Sequence, residues 1–254
     1  MNTSLTTLSP RALALRAQTE LIVDKDLTAF DRYWAEPYLQ HNPTLPSGMA
    51  AIRGFMAQVI PFANVEILRI VADGDMVAFH QRVTLPGTKL TVFDLYRVED
   101  GKLVEHWDAM QPDELGPPGT TTPFDGTVAL GEGDAEATRV VVASFVDAVL
   151  IAGEPGNVGD RVAPGLVRHG VGLADGPAGL AHDLAQLTAV GDSYLRCVRI
   201  LAEADFALSV CEARIGDGAV AVYDLWRVTH GRIAEQWRVT QRVPATTVSG
   251  LSVF

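Results

Sequence analysis

Apolar positions along the chain follow two rhythms. Ile52, Phe55, Met56 and Val59 recur at i, i+3, i+4 and i+7, the spacing of one face of a helix, and Leu180, Leu184 and Leu187 repeat it further on. Ser9 before Pro10 supplies a cap and a first-turn proline, which predicts a helix to about Val23. A second short helix is predicted over Leu27–Trp34, and Asp134 opens a later one through Val140–Leu150. Val65–Val71, Met76–Leu85, Lys89–Glu99 and Lys102–Gln111 read instead as strands, rich in β-branched and aromatic residues. Asp100-Gly101 is a two-residue hairpin signal between the last two. Helices followed by an antiparallel meander predict an α+β unit, with helices packed on one face of a curved sheet.

The pattern occurs twice. Val92–Gln111 and Val222–Gln241 are identical at nine of twenty positions, at an offset of 130 residues. Upstream, Arg69–Asp75 aligns with Arg199–Asp205, and His41 with His169. Between the copies, residues 112–133 hold nine Gly or Pro in 22 positions, the composition of a linker. The predicted division is a domain over 1–115, a linker over 116–133 and a second, degenerate domain over 134–254.

Charge and composition narrow the classes. The formal net charge of −11 repels phosphate backbones, so no nucleic-acid partner is expected. The longest apolar stretch, Val140–Ala152, is interrupted by Ser144 and Asp147 and is too short to span a bilayer, so no membrane role is expected. Two cysteines, Cys197 and Cys211, make no disulfide framework and fit a cytoplasmic protein. Serine-hydrolase, phosphate-loop and dinucleotide fingerprints do not occur. His80, His106 and Asp108 have no tight metal-binding spacing, so no metal is expected.

Three segments carry a family resemblance: Tyr38-Leu-Gln-His-Asn-Pro43, His80-Gln-Arg-Val83, and Val92–Gln111 with its D-x-x-R-x-x-x-G-K-x-x-E-H-W-D core. In these the chain resembles the SnoaL-like branch of the NTF2-like (cystatin-like) superfamily, as two tandem copies. The resemblance implies α+β cones, each a bent antiparallel sheet wrapped around about three helices and an apolar cavity. It implies packing of the two copies as an intramolecular pseudo-dimer, with further homo-oligomers open. It implies a cofactor-free enzyme, a lyase, isomerase or cyclase moving a proton on a small or polyketide-like carbonyl compound. A limonene-type epoxide hydrolase and a non-catalytic small-molecule-binding protein are the alternatives. In the aldol cyclases the catalytic carboxylate lies about where Gln111 stands, and an amide is no base, so that reaction does not transfer directly.

Candidate chemistry concentrates in the first copy. His80, His106, Asp108 and Asn42 become Val210, Gln236, Arg238 and Gly170 in the second. Asp94 is the leading candidate for a buried base, because it stands between Phe93 and Leu95. The competing reading pairs it with Arg82 or Arg97. His106 and His80 are candidate proton carriers, and otherwise strand histidines at an interface. Tyr38, His41, Asn42 and Asp108 are candidates for holding substrate, although His41 and Asn42 also suit a turn before Pro43. A regular two-residue turn pairs Asp94 with Trp107 and puts His106 and Asp108 on the opposite face from Asp94; a bulge shifts that register.

Overall fold

The structure, a computed structural model, describes residues 8–113 and 121–254. The first half runs α1 (Pro10–Gln18), α2 (Ala29–Tyr33), β1 (Trp34–Gln40), α3 (Met49–Val59), β2 (Asn64–Asp73), β3 (Met76–Leu85), β4 (Thr88–Glu99) and β5 (Lys102–Pro112). Ser9 caps α1, its hydroxyl accepting the Ala12 N–H, and a π-helical turn carries the helix on to Val23. The second half repeats the order as α4 (Ala135–Phe145), α5 (Val158–Arg161), β6 (Val162–His169), α6 (Gly176–Ala189), β7 (Ser193–Glu203), β8 (Phe206–Ile215), β9 (Gly218–Thr229) and β10 (Arg232–Arg242). The chain is thus two tandem α+β cones. Their sheets are ordered β1-β5-β4-β3-β2 and β6-β10-β9-β8-β7.

The hydrophobic rhythm does not reveal β1 and β6. Each is a short edge strand, parallel to the last strand of its sheet. Pro37 and Pro164 interrupt them, which an edge tolerates because one side needs no donor. The predicted helix over Leu27–Trp34 is correspondingly shorter, and Trp34 begins β1.

One residue sets the faces of the first sheet. Val98 pairs with Leu103, but Arg97 pairs with Glu105, so Val104 is an extra residue in β5. Beyond this bulge Asp94 lies opposite Asp108, and Tyr96 opposite His106. The regular register is thereby corrected by one residue, and Asp94, His106 and Asp108 share a face.

That face turns toward the helices. Leu13, Leu21, Phe30 and Ile52 from the helices pack there with Phe79 and Tyr96 from the strands. The other face meets the second sheet. Phe93, Leu95, Trp107 and Ala109 form one buried cluster with Leu208, Tyr223, Leu225 and Trp237. Polar contacts across this seam come in reciprocal pairs. Gln241 accepts the Met110 N–H and Gln111 accepts the Thr240 N–H, both at 3.0 Å. Glu203 accepts the Ala72 N–H at 2.7 Å and Asp73 accepts the Ala202 N–H at 3.1 Å. Arg11 pairs with Glu203 and Arg139 with Asp73. This exchange of equivalent contacts is the pattern of a two-fold, self-complementary interface.

The start of the predicted linker, residues 116–120, lies outside the described residues. Residues 121–133 lie against the second half. Thr121 donates to the Arg168 carbonyl at 3.1 Å, Thr127 donates to Glu235, and Gly131 N–H to Asp205. The glycines here serve close approach. A Cβ on Gly126, at φ +88°, would collide with His169 and Glu235, and one on Gly133 would lie 2.7 Å from the Asp205 backbone.

Candidate active site

Asp94, His106 and Asp108 point into a cavity of about 200 Å³ between the first sheet and its helices. Its walls are mainly apolar and aromatic, with Trp34, Tyr38, Ile52, Phe55 and Met56 contributing. Among the described residues, no Lys or Arg lines it. β4 and β5 supply the three polar side chains, and β1 supplies Tyr38 and Gln40.

His106 is held at both nitrogens. Nδ1 lies 3.0 Å from Gln40 Oε1, and that oxygen also accepts the Asn42 N–H at 2.8 Å. An oxygen already fixed as an acceptor requires Nδ1 to carry the proton. Nε2 then faces Asp94 Oδ1 at 3.1 Å, while the Gln81 amide donates to Oδ2. Nε2 and Oδ1 are thus in direct hydrogen-bond contact. The Tyr96 ring packs on the imidazole, centroids 4.6 Å apart. Asp108 receives the Asn42 amide at both oxygens, 2.9 and 2.7 Å.

Burial and charge set the proton affinities. Burial alone would lower the His106 pKa, but the Asp94 hydrogen bond and the Asp94 and Asp108 charges outweigh it and leave it raised. Burial lifts Asp108 to about 6; His106 pulls it down, and Asp94 pushes it up. Burial, reinforced by the Asp94 and Asp108 charges, raises Tyr96 and Tyr38, so both phenols stay protonated donors.

Two predicted site residues lie elsewhere. His80 pairs with Phe93 across the strands and faces the seam, on the opposite side of the sheet from the cavity. Its Nδ1 is 3.1 Å from Arg69. Burial and the Arg69 and His169 charges push its pKa well down, so it is a neutral packing residue and no proton donor. His41 stacks on Trp107 at 4.5 Å, bonds Glu105 at 2.8 Å through Nε2, and meets the Ser252 carbonyl through Nδ1. His169 repeats this on Trp237 and Glu235. The tryptophan stacking and the glutamate bond, common to both halves, place His41 at the seam. Asn42 acts on Asp108 from the loop after β1, and Tyr38 lines the cavity.

Neither rival arginine reaches Asp94: Arg82 pairs with Glu66, and Arg97 with Glu99 and Glu105. Gln40 and Gln81 complete the site and are not among the sequence candidates. An alignment of the halves carries a signal for both, because Gln40 becomes Arg168 and Gln81 becomes Cys211. In the second half Arg238 grips Asp224 at 2.7 and 2.9 Å, and Gln236 donates to the same carboxylate. The equivalent proton site is thereby converted into a closed ion pair.

Residues 15–106 match the SnoaL-like domain family. The first half is a SnoaL-like domain. No curated protein matches the chain. Among solved structures, the chain is similar to an NTF2-like protein of unknown function from Cytophaga hutchinsonii, 15% identical, covering 42% of this chain and 94% of that one with a TM-score of 0.38. A steroid delta-isomerase from Pseudomonas aeruginosa is 21% identical, covering 43% of this chain and 85% of that one, with a TM-score of 0.37. An LEH-like epoxide hydrolase from M. tuberculosis is 22% identical, covering 42% and 84%, with a TM-score of 0.35. The family match lies in the first half, and the second half repeats its order of elements. Among the described residues, no helix is long and apolar enough to cross a membrane.

Proposed function

We propose that the first SnoaL-like domain is a cofactor-free enzyme that moves a proton on a small, uncharged, enolisable carbonyl compound, as an isomerase, lyase or cyclase. The observation that carries this reading is the contact between His106 Nε2 and Asp94 Oδ1, 3.1 Å apart, in an apolar cavity that also holds Asp108. Asp108, with its pKa lifted to about 6, is ionised at neutral pH yet basic enough to accept an α-proton. The C–H electrons pass to the carbonyl oxygen as an enolate, toward which the Tyr38 hydroxyl can donate. The His106–Asp94 pair delivers its proton to the enolate, and Asp108 returns the abstracted proton to the pair or to solvent. Asn42 holds Asp108 in place, and Gln40 fixes the histidine tautomer. The apolar character of the walls favours an uncharged substrate of polyketide-like or simpler carbonyl chemistry.

A panel of small cyclic ketones in heavy water tests this. Exchange of α-hydrogens, followed by proton magnetic resonance, is expected to be faster with protein and to fall below pH about 6. His106→Gln and Asp94→Asn should each slow it by about 10²-fold or more. Ketones that bind without any exchange above the His106→Gln background would overturn the catalytic reading and leave a binding protein.

Epoxide hydrolysis is the second reading. It is favoured by one observation: Asp94 and Asp108 face each other across β4 and β5, with the Asn42 amide beside them. Incorporation of labelled water oxygen into a diol would distinguish it.

The assembly belongs to the same proposal. We assign domains to 1–115 and 134–254, with 116–133 joining them, in a reducing cytoplasm suited to the free thiols Cys197 and Cys211. The reciprocal seam supports an intramolecular pseudo-dimer in which the second domain is a permanent partner for the first.

A further inference from the structure

The reciprocal contacts of the seam fail at one place. On the second half, the main chain of residues 125–127 crosses Trp237. Arg69 donates to the carbonyls of Thr127, at 2.7 Å, and of Asp125, and its guanidinium lies 4.2 Å from the Trp237 ring. Trp237 Nε1 donates to the same Asp125 oxygen at 2.9 Å. One acceptor therefore serves a guanidinium and an indole N–H together.

The counterparts 130 residues away are Arg199 and Trp107, and the guanidinium again lies 4.2 Å from the ring. Here the matching acceptor is missing among the described residues. Among the described residues, the buried Trp107 Nε1 has no hydrogen-bond partner. The fully buried hydroxyl of Tyr223, which interacts electrostatically with Arg199, has none either. Arg199 makes no ion pair among the described residues, and Glu105, whose charge acts on it, is already held by His41 and Arg97. A buried donor pays for lost hydration unless an acceptor replaces it, and a half-buried guanidinium does so most of all.

We propose that Arg199, Trp107 and Tyr223 form a binding site for a small carboxylate, on the opposite side of the sheet from the catalytic cavity. A carboxylate has two acceptor oxygens in one plane. One suits the guanidinium, and the other suits the indole N–H, as the Asp125 carbonyl does on the related side. Arg199 supplies one positive charge, which favours an anion, and Tyr223, whose counterpart is Phe93, adds a hydroxyl donor that the related side lacks. The site is independent of the proposed reaction, because Trp107 points away from the cavity that His106 and Asp108 enter.

The four tryptophans give four indole N–H resonances, which makes the test direct. The full chain, labelled with nitrogen-15, is titrated with sodium acetate. The Trp107 signal, identified by its loss in Trp107→Phe, is expected to move saturably, while the other three stay. Arg199→Gln should weaken binding by about tenfold or more, and Arg199→Lys, which keeps the charge but not the fork, by less. Tyr223→Phe should weaken it while leaving the fold unchanged. Sodium chloride at equal ionic strength and acetamide should leave the signal in place. No movement up to about 100 mM acetate, equal movement with chloride, or an unchanged titration in both Arg199 variants would overturn the proposal.

Discussion

Asp108 carries the sharpest conflict between stability and chemistry. Its carboxyl is lifted from an ordinary value of 3.8 to about 6 by burial, so the folded state holds the proton more tightly than the unfolded chain does. A raised carboxyl costs stability above pH 6, where both states are ionised. The cost fades as pH falls through 6 and is gone below about 4. A rise of that size corresponds to about 3 kcal/mol, an upper bound because His106 stays close by. Asp108→Asn keeps an acceptor for the Asn42 amide and removes the buried charge. It should therefore raise stability by about 1–3 kcal/mol at pH 8 and by almost nothing at pH 4, as urea unfolding at the two pH values would show. The same variant should lose hydrogen exchange on ketone probes. A less stable Asp108→Asn protein at pH 8 would mean that the carboxylate is held by more than Asn42.

Gln40 is a positioning residue on the same scale. Gln40→Glu would turn a fixed acceptor into a charge beside His106 Nδ1 and hold the imidazolium more firmly. The alkaline limb of the rate profile should move upward in pH. An unmoved profile would show that the tautomer is set by other groups.

At the scale of elements, the bulge at Val104 and the arm over residues 121–133 do different work. The bulge converts an alternating strand into one whose His106 and Asp108 face the helices. The arm seals the second sheet against the His169–Glu235 pair. Gly126→Ala should cost about 1–3 kcal/mol, from the positive φ and from the collision with His169 and Glu235. Gly74→Ala, also at positive φ but in open space, should cost about 1 kcal/mol or less. Thermal melts of the two variants check the difference, and equal costs would mean that the arm yields without penalty.

For the whole molecule, one continuous seam predicts one compact particle. A 254-residue globule has a radius of gyration of about 18 Å, and small-angle scattering should give a value near it. Two separated beads joined by an extended linker would exceed it clearly. Because Gln111 and Gln241 make mirrored bonds, Gln111→Ala and Gln241→Ala should destabilise by similar amounts, about 1 kcal/mol each.

Much of this was legible in the chain. The 130-residue repeat, the helix-then-meander order and the four long strands follow from local periodicity, which acts over a few residues and survives in any tertiary setting. The asymmetry of the halves was legible too, since His106, Asp108 and Asn42 each change type at the related position. The edge strands β1 and β6 were not, because an edge strand draws its stability from a neighbour about 65 residues away and carries little rhythm of its own. Nor was the face of each side chain. A single bulge residue, Val104, reverses the parity of everything after it, and no local preference marks where a strand will bulge. Tertiary packing alone therefore joined Asp94 to His106 and Asp108, and sent His80 and His41 to the seam. Their residue types were suited to either place; only the register of the strands beside them decided which.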